Sequence, residues 1–418
     1  MTRLTIVGGG LTGVLAAFQA HDLGCRDITL HERFDQLGGV AAPQRAYGAE
    51  LRHACIYLGP PGDRVRSLLE AHGLAFDDFE NHYGSVSLGA DGGQVAASAF
   101  GGPVIPAREI GLKPVLGDSL AARIAAYPDD VAAVLTRYAR WHLGFPLEEV
   151  HESAATPLGF ARIFPSGVDL TALATAKRLD PLYDDLYALT RQAGGVIQNT
   201  LASEPRGGFA QMFAEARRAL ERLGVKVVDT SLVSPRQALA EHEPGRVLVW
   251  AANPTPLFKA AGLETPKLVK KTFATYIFKA RWNGPVPFFA HNFTSQGGIF
   301  RLYFYRSGGE TLLTAECVAE RGDHELRGDI AQMAAAFDGG ASLRLGELIA
   351  VNVAPRWIYH SVDAIRKLKG LRAVLEDRMS AGFVAGAWEP YAKTAKFDEV
   401  NAALARTLGE KAGLRIAG

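Results

Sequence analysis

Gly8-Gly9-Gly10-Leu11-Thr12-Gly13 is the segment of this 418-residue chain whose spacing bears most directly on chemistry. Glycines at 8, 10 and 13 match the dinucleotide fingerprint, and each has a physical task. Gly8 allows a tight strand-to-helix turn. Gly10 lets a pyrophosphate approach the backbone. Gly13 lets the helix pack closely on the strand. Leu11 and Thr12 open that helix, so their N–H groups and the positive dipole end face the phosphates. Glu32 stands at the end of a second strand, at the spacing of a carboxylate that accepts hydrogen bonds from an adenosine ribose.

The elements needed to position these residues are also legible. Thr5–Val7 reads as a short buried strand and an Ala-rich helix runs to Leu23. Asp27–Leu30 reads as the second strand. Strand, glycine turn, helix, strand and acidic residue together form the βαβ context that the glycine triplet requires.

The residues after Glu32 distinguish between dinucleotides. Arg33-Phe34-Asp35-Gln36-Leu37-Gly38-Gly39 resembles the extended fingerprint of two-domain flavoproteins of the amine oxidase type. In those proteins the Gly-Gly pair lies where backbone passes close to FAD. The resemblance implies FAD rather than NAD, with Arg33, Gly38 and Gly39 beside it.

Composition bounds the rest. A chain this long exceeds the usual single-core limit, so two connected lobes are expected. Hydrophobic residues make up 48% and charged residues 21%, ordinary for a globular enzyme. A net charge of +1 gives no reason to expect nucleic acid or an anionic membrane as partner. Cys25, Cys55 and Cys317 are too few and too scattered for a disulfide framework or a zinc site, and no metal is expected. No apolar run reaches the ~18 residues of a membrane span. With no leader-like start, a cytoplasmic setting is expected.

Along the chain, Arg64–His72 reads as a helix and 83–106 as short antiparallel strands. Residues 118–142 read as helical with a break near Pro128, and helical stretches occur at 169–177 and 182–192. Ala210–Leu223 is amphipathic and Gly224 stops it. Val225–Val228 and Arg246–Ala251 are strands, the first placing Val227 near the dinucleotide. Residues 267–320 are β-rich, and Phe383–Gly386 precedes a closing helix over 397–412. The expected fold is α/β: a Rossmann-type FAD-binding domain from 1–80, 205–264 and 371–418, and a second sheet-plus-helix substrate lobe from 81–204 and 265–370.

Several segments, in order, resemble UDP-galactopyranose mutase. Gln36-Leu37-Gly38-Gly39-Val40-Ala41 is similar to that family's Gly-Gly-Asn-Ala loop, and 48–69 to its run from a turn into a helix. Pro205-Arg206-Gly207-Gly208-Phe209-Ala210-Gln211-Met212-Phe213 resembles its Gly-Gly-Tyr-Thr-x-Met-Phe segment. Gly298-Ile299-Phe300-Arg301-Leu302 sits where the family has a strand with a catalytic arginine, and Gly386-Ala387-Trp388-Glu389-Pro390-Tyr391 resembles its last FAD segment. The likeness implies Gly386 at the cofactor, catalytic roles for Arg301, His53 and Tyr391, and a small-molecule substrate such as a sugar nucleotide, rearranged through flavin N5. Two departures weigh against that chemistry. Ala387 replaces an arginine that holds the family's UDP diphosphate, and the turn carrying its histidine here reads Arg52-His53-Ala54-Cys55. An FAD-dependent oxidoreductase acting on an amine or alcohol, or desaturating a carbon bond, is the alternative; a flavin-binding protein without turnover is the third reading.

Arg301 on an apolar strand needs a partner or a ligand. Arg301, Tyr303 and Tyr305 alternate onto one face, where they could grip an anion. Arg356, Trp357 and Tyr359 form a second aromatic-basic group.

Overall fold

The apolar runs Leu4–Val7 and Val247–Trp250 pack as central strands because helices cover both faces of the sheet they join. Its order is Lys226–Val228, Asp27–His31, Arg3–Val7, Arg246–Trp250, Phe383–Ala385, all parallel. On one face, helix Leu11–Asp22 contacts helices Arg64–Ala71, Phe209–Arg222 and Lys393–Lys411. Helices Thr255–Ala261 and Val362–Arg378 cover the other. The computed structural model describes residues 2–46, 48–53, 57–89, 92–97, 103–161, 163–188, 201–240, 245–337, 340–379 and 382–411.

A seven-stranded sheet forms the second layer system, in the order Arg344–Tyr359, Val269–Arg281, Glu310–Cys317, Ile299–Ser307, Phe288–Asn292, His82–Leu88, Gln94–Ala97. Every pairing is antiparallel except that of Phe288–Asn292 with His82–Leu88. The period-2 alternation of its strands divides two environments. Leu302 and Phe304 pack with Trp282, Phe288 and helix Asp323–Ala334. Tyr303 and Tyr305 face the opposite way, with Ala49, Leu51 and Ile277. Helices Leu120–Ala125, Asp129–Leu143, Leu170–Leu179 and Pro181–Leu186 cover one end of that second face through Phe273, Phe300 and Tyr359.

The local grammar is ordinary. Asp63, Ser119, Asp169, Asp180 and Ser361 each accept a first-turn N–H as N-caps. Gly144, at φ +67°, ends the helix Asp129–Leu143 in the left-handed region.

The structure corrects two expectations in the 83–192 stretch. Val104–Pro106 pairs in parallel with Phe164–Ser166 rather than as one of the short antiparallel strands expected there, since the N–H and carbonyl of Val104 are taken by the Ser85 and Ser87 hydroxyls instead of by a neighbouring strand. The helix expected over 182–192 ends at Leu186, and 189–192 lie outside the described residues. Among the described residues, no helix is long and apolar enough to cross a membrane.

Candidate functional site

The glycine turn does steric work at two positions. Gly8 sits at φ +106°, and a Cβ there would lie 2.9 Å from the backbone nitrogen of Ala252. A Cβ on Gly13 would lie 1.9 Å from the carbonyl oxygen of Gly8, so only glycine lets helix meet strand here. Gly10 differs: the nearest atoms to a Cβ are backbone atoms of Gly38 and Gly39 at 3.9–4.0 Å. It heads helix Leu11–Asp22 without a side-chain cap, and no acidic residue stands in the first turn. That leaves the N–H end at Leu11 and Thr12 open to an anion.

Gly38 and Gly39 dock onto this turn. Gly10 and Gly38 form a parallel bridge, and the Gly38 N–H donates to the Gly9 carbonyl at 2.9 Å. A Cβ on Gly39 would come within 3.2 Å of the Gly10 Cα. Two backbone segments far apart in sequence thus line one groove, with no side chain between them.

Glu32 is buried and accepts from the N–H groups of Gly9 at 2.7 Å and Phe34 at 3.0 Å. Each oxygen keeps a lone pair beyond these bonds, the capacity a ribose diol requires. Arg33 is exposed and lies over the Phe34 ring. Val227 pairs with Leu30 at the sheet edge, half-buried. Gly386 donates its N–H to the Trp250 carbonyl at 3.0 Å, and a Cβ there would meet Ala251 at 2.5 Å. These groups fit a dinucleotide laid across the carboxyl ends of the central strands.

The other candidate residues gather on the second sheet. Arg301 is buried, and its guanidinium binds Glu316 in two parallel bonds, Nε to Oε1 at 2.8 Å and Nη2 to Oε2 at 2.6 Å. The rings of Phe289 and Phe300 flank it. Arg301 therefore meets a matched carboxylate rather than standing as the lone cation its apolar neighbours suggest. Arg52 repeats the arrangement. It grips Glu204, with Nη2 to Oε2 at 2.9 Å, and donates to the Tyr303 hydroxyl at 2.9 Å. Burial opposes its charge, but Tyr303 and Glu204 outweigh that and hold the guanidinium firmly protonated. Tyr303 and Tyr305 stack at 4.9 Å and are fully buried, and burial raises the Tyr305 phenol above its usual range.

His53 joins the same face. Its Nδ1 lies 3.1 Å from Thr275 Oγ1 and its Nε2 2.9 Å from Gln44 Oε1. Thr275 pairs with Glu316, and Glu316 with Arg301, so His53, Thr275, Glu316 and Arg301 run in a row across three strands. Tyr391 lies elsewhere. Its hydroxyl donates to the Ile358 carbonyl at 2.7 Å and accepts the His360 N–H at 2.9 Å. It borders a cavity of about 300 Å³ lined also by Tyr57, Gly59, Asp63, Lys393 and Thr394. The two regions touch where the Tyr57 ring meets Tyr303 edge-on at 5.7 Å. Ala387 is buried at φ +51°, and Lys396 donates to its carbonyl at 3.2 Å.

Cys55 and the side chains of Arg356 and Trp357 lie outside the described residues. Sequence reasoning missed Glu316, Arg52, Glu204 and Thr275. The signal for Glu316 was present: Gly308-Gly309, at φ +60° and +80°, forms a two-residue turn with Ser307 opposite Glu310. Counting back from that turn puts Arg301 opposite Glu316.

Comparison with known proteins agrees with this architecture. Residues 6–71 match the family model of the NAD(P)-binding Rossmann-like domain. No curated protein matches the chain. Among solved structures, reduced UDP-galactopyranose mutase aligns with TM-score 0.63 at 11% identity, over 100% of this chain and 97% of the other. A candidate protoporphyrinogen oxidase from Exiguobacterium sp. 255-15 aligns with TM-score 0.62 at 13% identity, over 98% and 99%. A redesigned putrescine oxidase aligns with TM-score 0.56 at 13% identity, over 99% of each chain. At these identities the likeness establishes the fold: a Rossmann-like dinucleotide domain joined to a sheet lobe, shared by oxidases and a mutase.

Proposed function

We propose that this chain is an FAD-dependent oxidoreductase acting on a small molecule. Gly8, Gly10, Leu11, Thr12, Gly13, Glu32, Gly38, Gly39 and Gly386 hold the dinucleotide, with Arg33 and Val227 at the adenosine end. The substrate site lies over the sheet that carries Arg301, Tyr303 and Tyr305, whose buried side chains brace it from beneath. Segments 1–80, 205–264 and 371–418 build the cofactor domain; 81–204 and 265–370 build the substrate lobe. The bound flavin supplies the capacity to accept a hydride. The protein's share is to seat it, exclude water and orient the substrate on a rigid floor. His53, hydrogen-bonded at both ring nitrogens, and Tyr391, fixed by two backbone groups, are positioning candidates on either side of that floor.

The pairing of Arg301 with Glu316 carries the choice of oxidation over sugar-nucleotide rearrangement. A diphosphate needs guanidinium groups with charge to spare. Both buried arginines on this face already hold one carboxylate each, and Ala387 stands where the mutases have a third. A face balanced in this way suits a neutral or cationic substrate, such as an alcohol or an amine.

The test begins with heat release of the cofactor and chromatography, which should yield FAD. Oxidised protein is then mixed anaerobically with panels of primary amines and alcohols while its flavin absorbance is recorded. Bleaching matched by an oxidised product is the expected result. A UDP-sugar isomer formed only by pre-reduced protein, with no net use of reductant, would establish the mutase reading instead.

A further inference from the structure

Beneath the substrate face, a hydrogen-bonded row of rings separates helix Asp129–Leu143 from the sheet. The Tyr83 hydroxyl lies 3.3 Å from His291 Nδ1. The other nitrogen of His291, Nε2, lies 3.2 Å from the Tyr138 hydroxyl. That hydroxyl lies 3.4 Å from His142 Nδ1, and His142 Nε2 lies 2.8 Å from the Tyr359 hydroxyl. All five side chains are buried. The row starts on strand His82–Leu88, crosses Phe288–Asn292, climbs to the helix, and descends to the last residue of strand Arg344–Tyr359. Ile358 and His360, on either side of Tyr359, are the two residues whose backbone Tyr391 grips at the rim of the 300 Å³ cavity.

We propose that Tyr83, His291, Tyr138, His142 and Tyr359 form a proton relay with two collective polarities, in which the two imidazoles change tautomer together. A neutral imidazole has one N–H and one lone pair, and a phenol donates one hydrogen while accepting another. Alternation of Tyr, His, Tyr, His, Tyr therefore leaves two consistent arrangements. In one, Tyr359 donates to His142 Nε2, His142 Nδ1–H to Tyr138, Tyr138 to His291 Nε2, and His291 Nδ1–H to Tyr83. In the other, every bond is reversed and both histidines carry their proton on Nε2. Moving from the first to the second takes one proton from water onto the Tyr359 oxygen, shifts one proton along each of the four bonds, and returns one to water from the Tyr83 oxygen. Every member ends neutral.

The surroundings support this reading. Burial, and then the Arg301 guanidinium, hold His142 and His291 well below the ordinary imidazole range; Lys271 adds to this at His142, and His142 adds to it at His291. Neither ring becomes imidazolium at neutral pH, which would break the alternation by offering two donors. Gly159 contributes space, since a Cβ there would lie 2.5 Å from the His291 ring. The relay goes beyond the oxidoreductase reading and does not depend on it.

The ¹⁵N NMR spectrum of histidine-labelled full-length protein at neutral pH distinguishes the tautomers, because a protonated ring nitrogen and a bare one resonate far apart. Tyr83→Phe removes the donor to His291 Nδ1. An unpartnered lone pair is tolerated better there than an unpartnered N–H, so His291 takes its proton on Nε2 and Tyr138 turns to His142. The expected result is that His142, which does not touch Tyr83, also carries its proton on Nε2. Tyr359→Phe drives the row the other way, and His291 carries its proton on Nδ1. Either variant tests the relay alone, with circular dichroism to verify folding. Adding Tyr138→Phe should uncouple the distant ring in both. A distant histidine in the opposite tautomer, or one indifferent to Tyr138→Phe, overturns the relay and leaves a packing cluster. Loss of FAD binding or of flavin bleaching bears on the oxidoreductase reading and not on this one.

Discussion

Replacing Arg301 by alanine should cost more stability than removing any other single side chain of the substrate face. Glu316 is 1% exposed, and both its oxygens are held by Arg301 at 2.8 and 2.6 Å. The substitution removes two charge-assisted bonds and leaves the carboxylate in a dry interior. Breaking a buried pair from one side costs about 3–5 kcal/mol, because the orphaned charge keeps its desolvation penalty. Removing both partners is different: Arg301→Met with Glu316→Leu fills similar volume with apolar atoms and should fall within about 1 kcal/mol of wild type, or above it. The double-mutant cycle should therefore show strong coupling. Urea unfolding followed by circular dichroism gives the readout. A single Arg301→Ala variant within about 1 kcal/mol of wild type, or a double variant as unstable as the singles, would refute the reasoning. The guanidinium would then belong to a ligand rather than to Glu316.

Gly10→Val should purify without FAD and melt like wild type stripped of FAD, because its added methyls enter open space on the phosphate side; retention of full FAD content would contradict the cradle. Gly13→Val should fail to fold as a soluble protein, since even a Cβ collides with the Gly8 carbonyl; a wild-type melting curve would argue against that packing. Glu50→Ala should destabilise by about 1–3 kcal/mol in urea, because Glu50 is buried and accepts the N–H groups of Phe209 and Ala210 at the start of helix Phe209–Arg222; an unchanged midpoint would remove Glu50 as a cap. Burial lowers His360 from 6.5 to about 4, so the folded protein resists a proton that the unfolded chain accepts. Its contribution to stability is full above about pH 6.5, falls as pH drops through that window, and is gone below about 4, a loss on the order of 3 kcal/mol. His360→Gln should flatten the stability–pH curve between those values, and a curve of unchanged slope would exclude His360 as its source.

Local rules made the dinucleotide cradle legible, while the substrate face depended on partners distant in sequence. Gly8, Gly13, the helix after them and Glu32 lie within 32 residues, and each obeys a constraint set by its immediate neighbours. Even Gly38-Gly39, whose job is to meet Gly10 across a groove, was visible as a glycine pair close behind the acidic residue. The fold class came from the same local signals: continuous apolar runs for covered parallel strands, alternation for the second sheet. Arg301 could be recognised as a buried charge, but not as a satisfied one, because its partner depends on strand register. That register was in fact encoded, since the Gly308-Gly309 turn fixes which residue of Glu310–Cys317 faces each residue of Ile299–Ser307. No comparable signal existed for Arg52 and Glu204, which are separated by 152 positions and meet only once the chain is folded. The Tyr-His row was less legible still. Nothing in the sequence singles out His142 or His291, and what distinguishes them is the alternation of neighbours contributed by four separate elements. Chemistry that rests on one backbone turn could be read from the chain, whereas chemistry that rests on charge balance or on proton order required the partners to be placed in space.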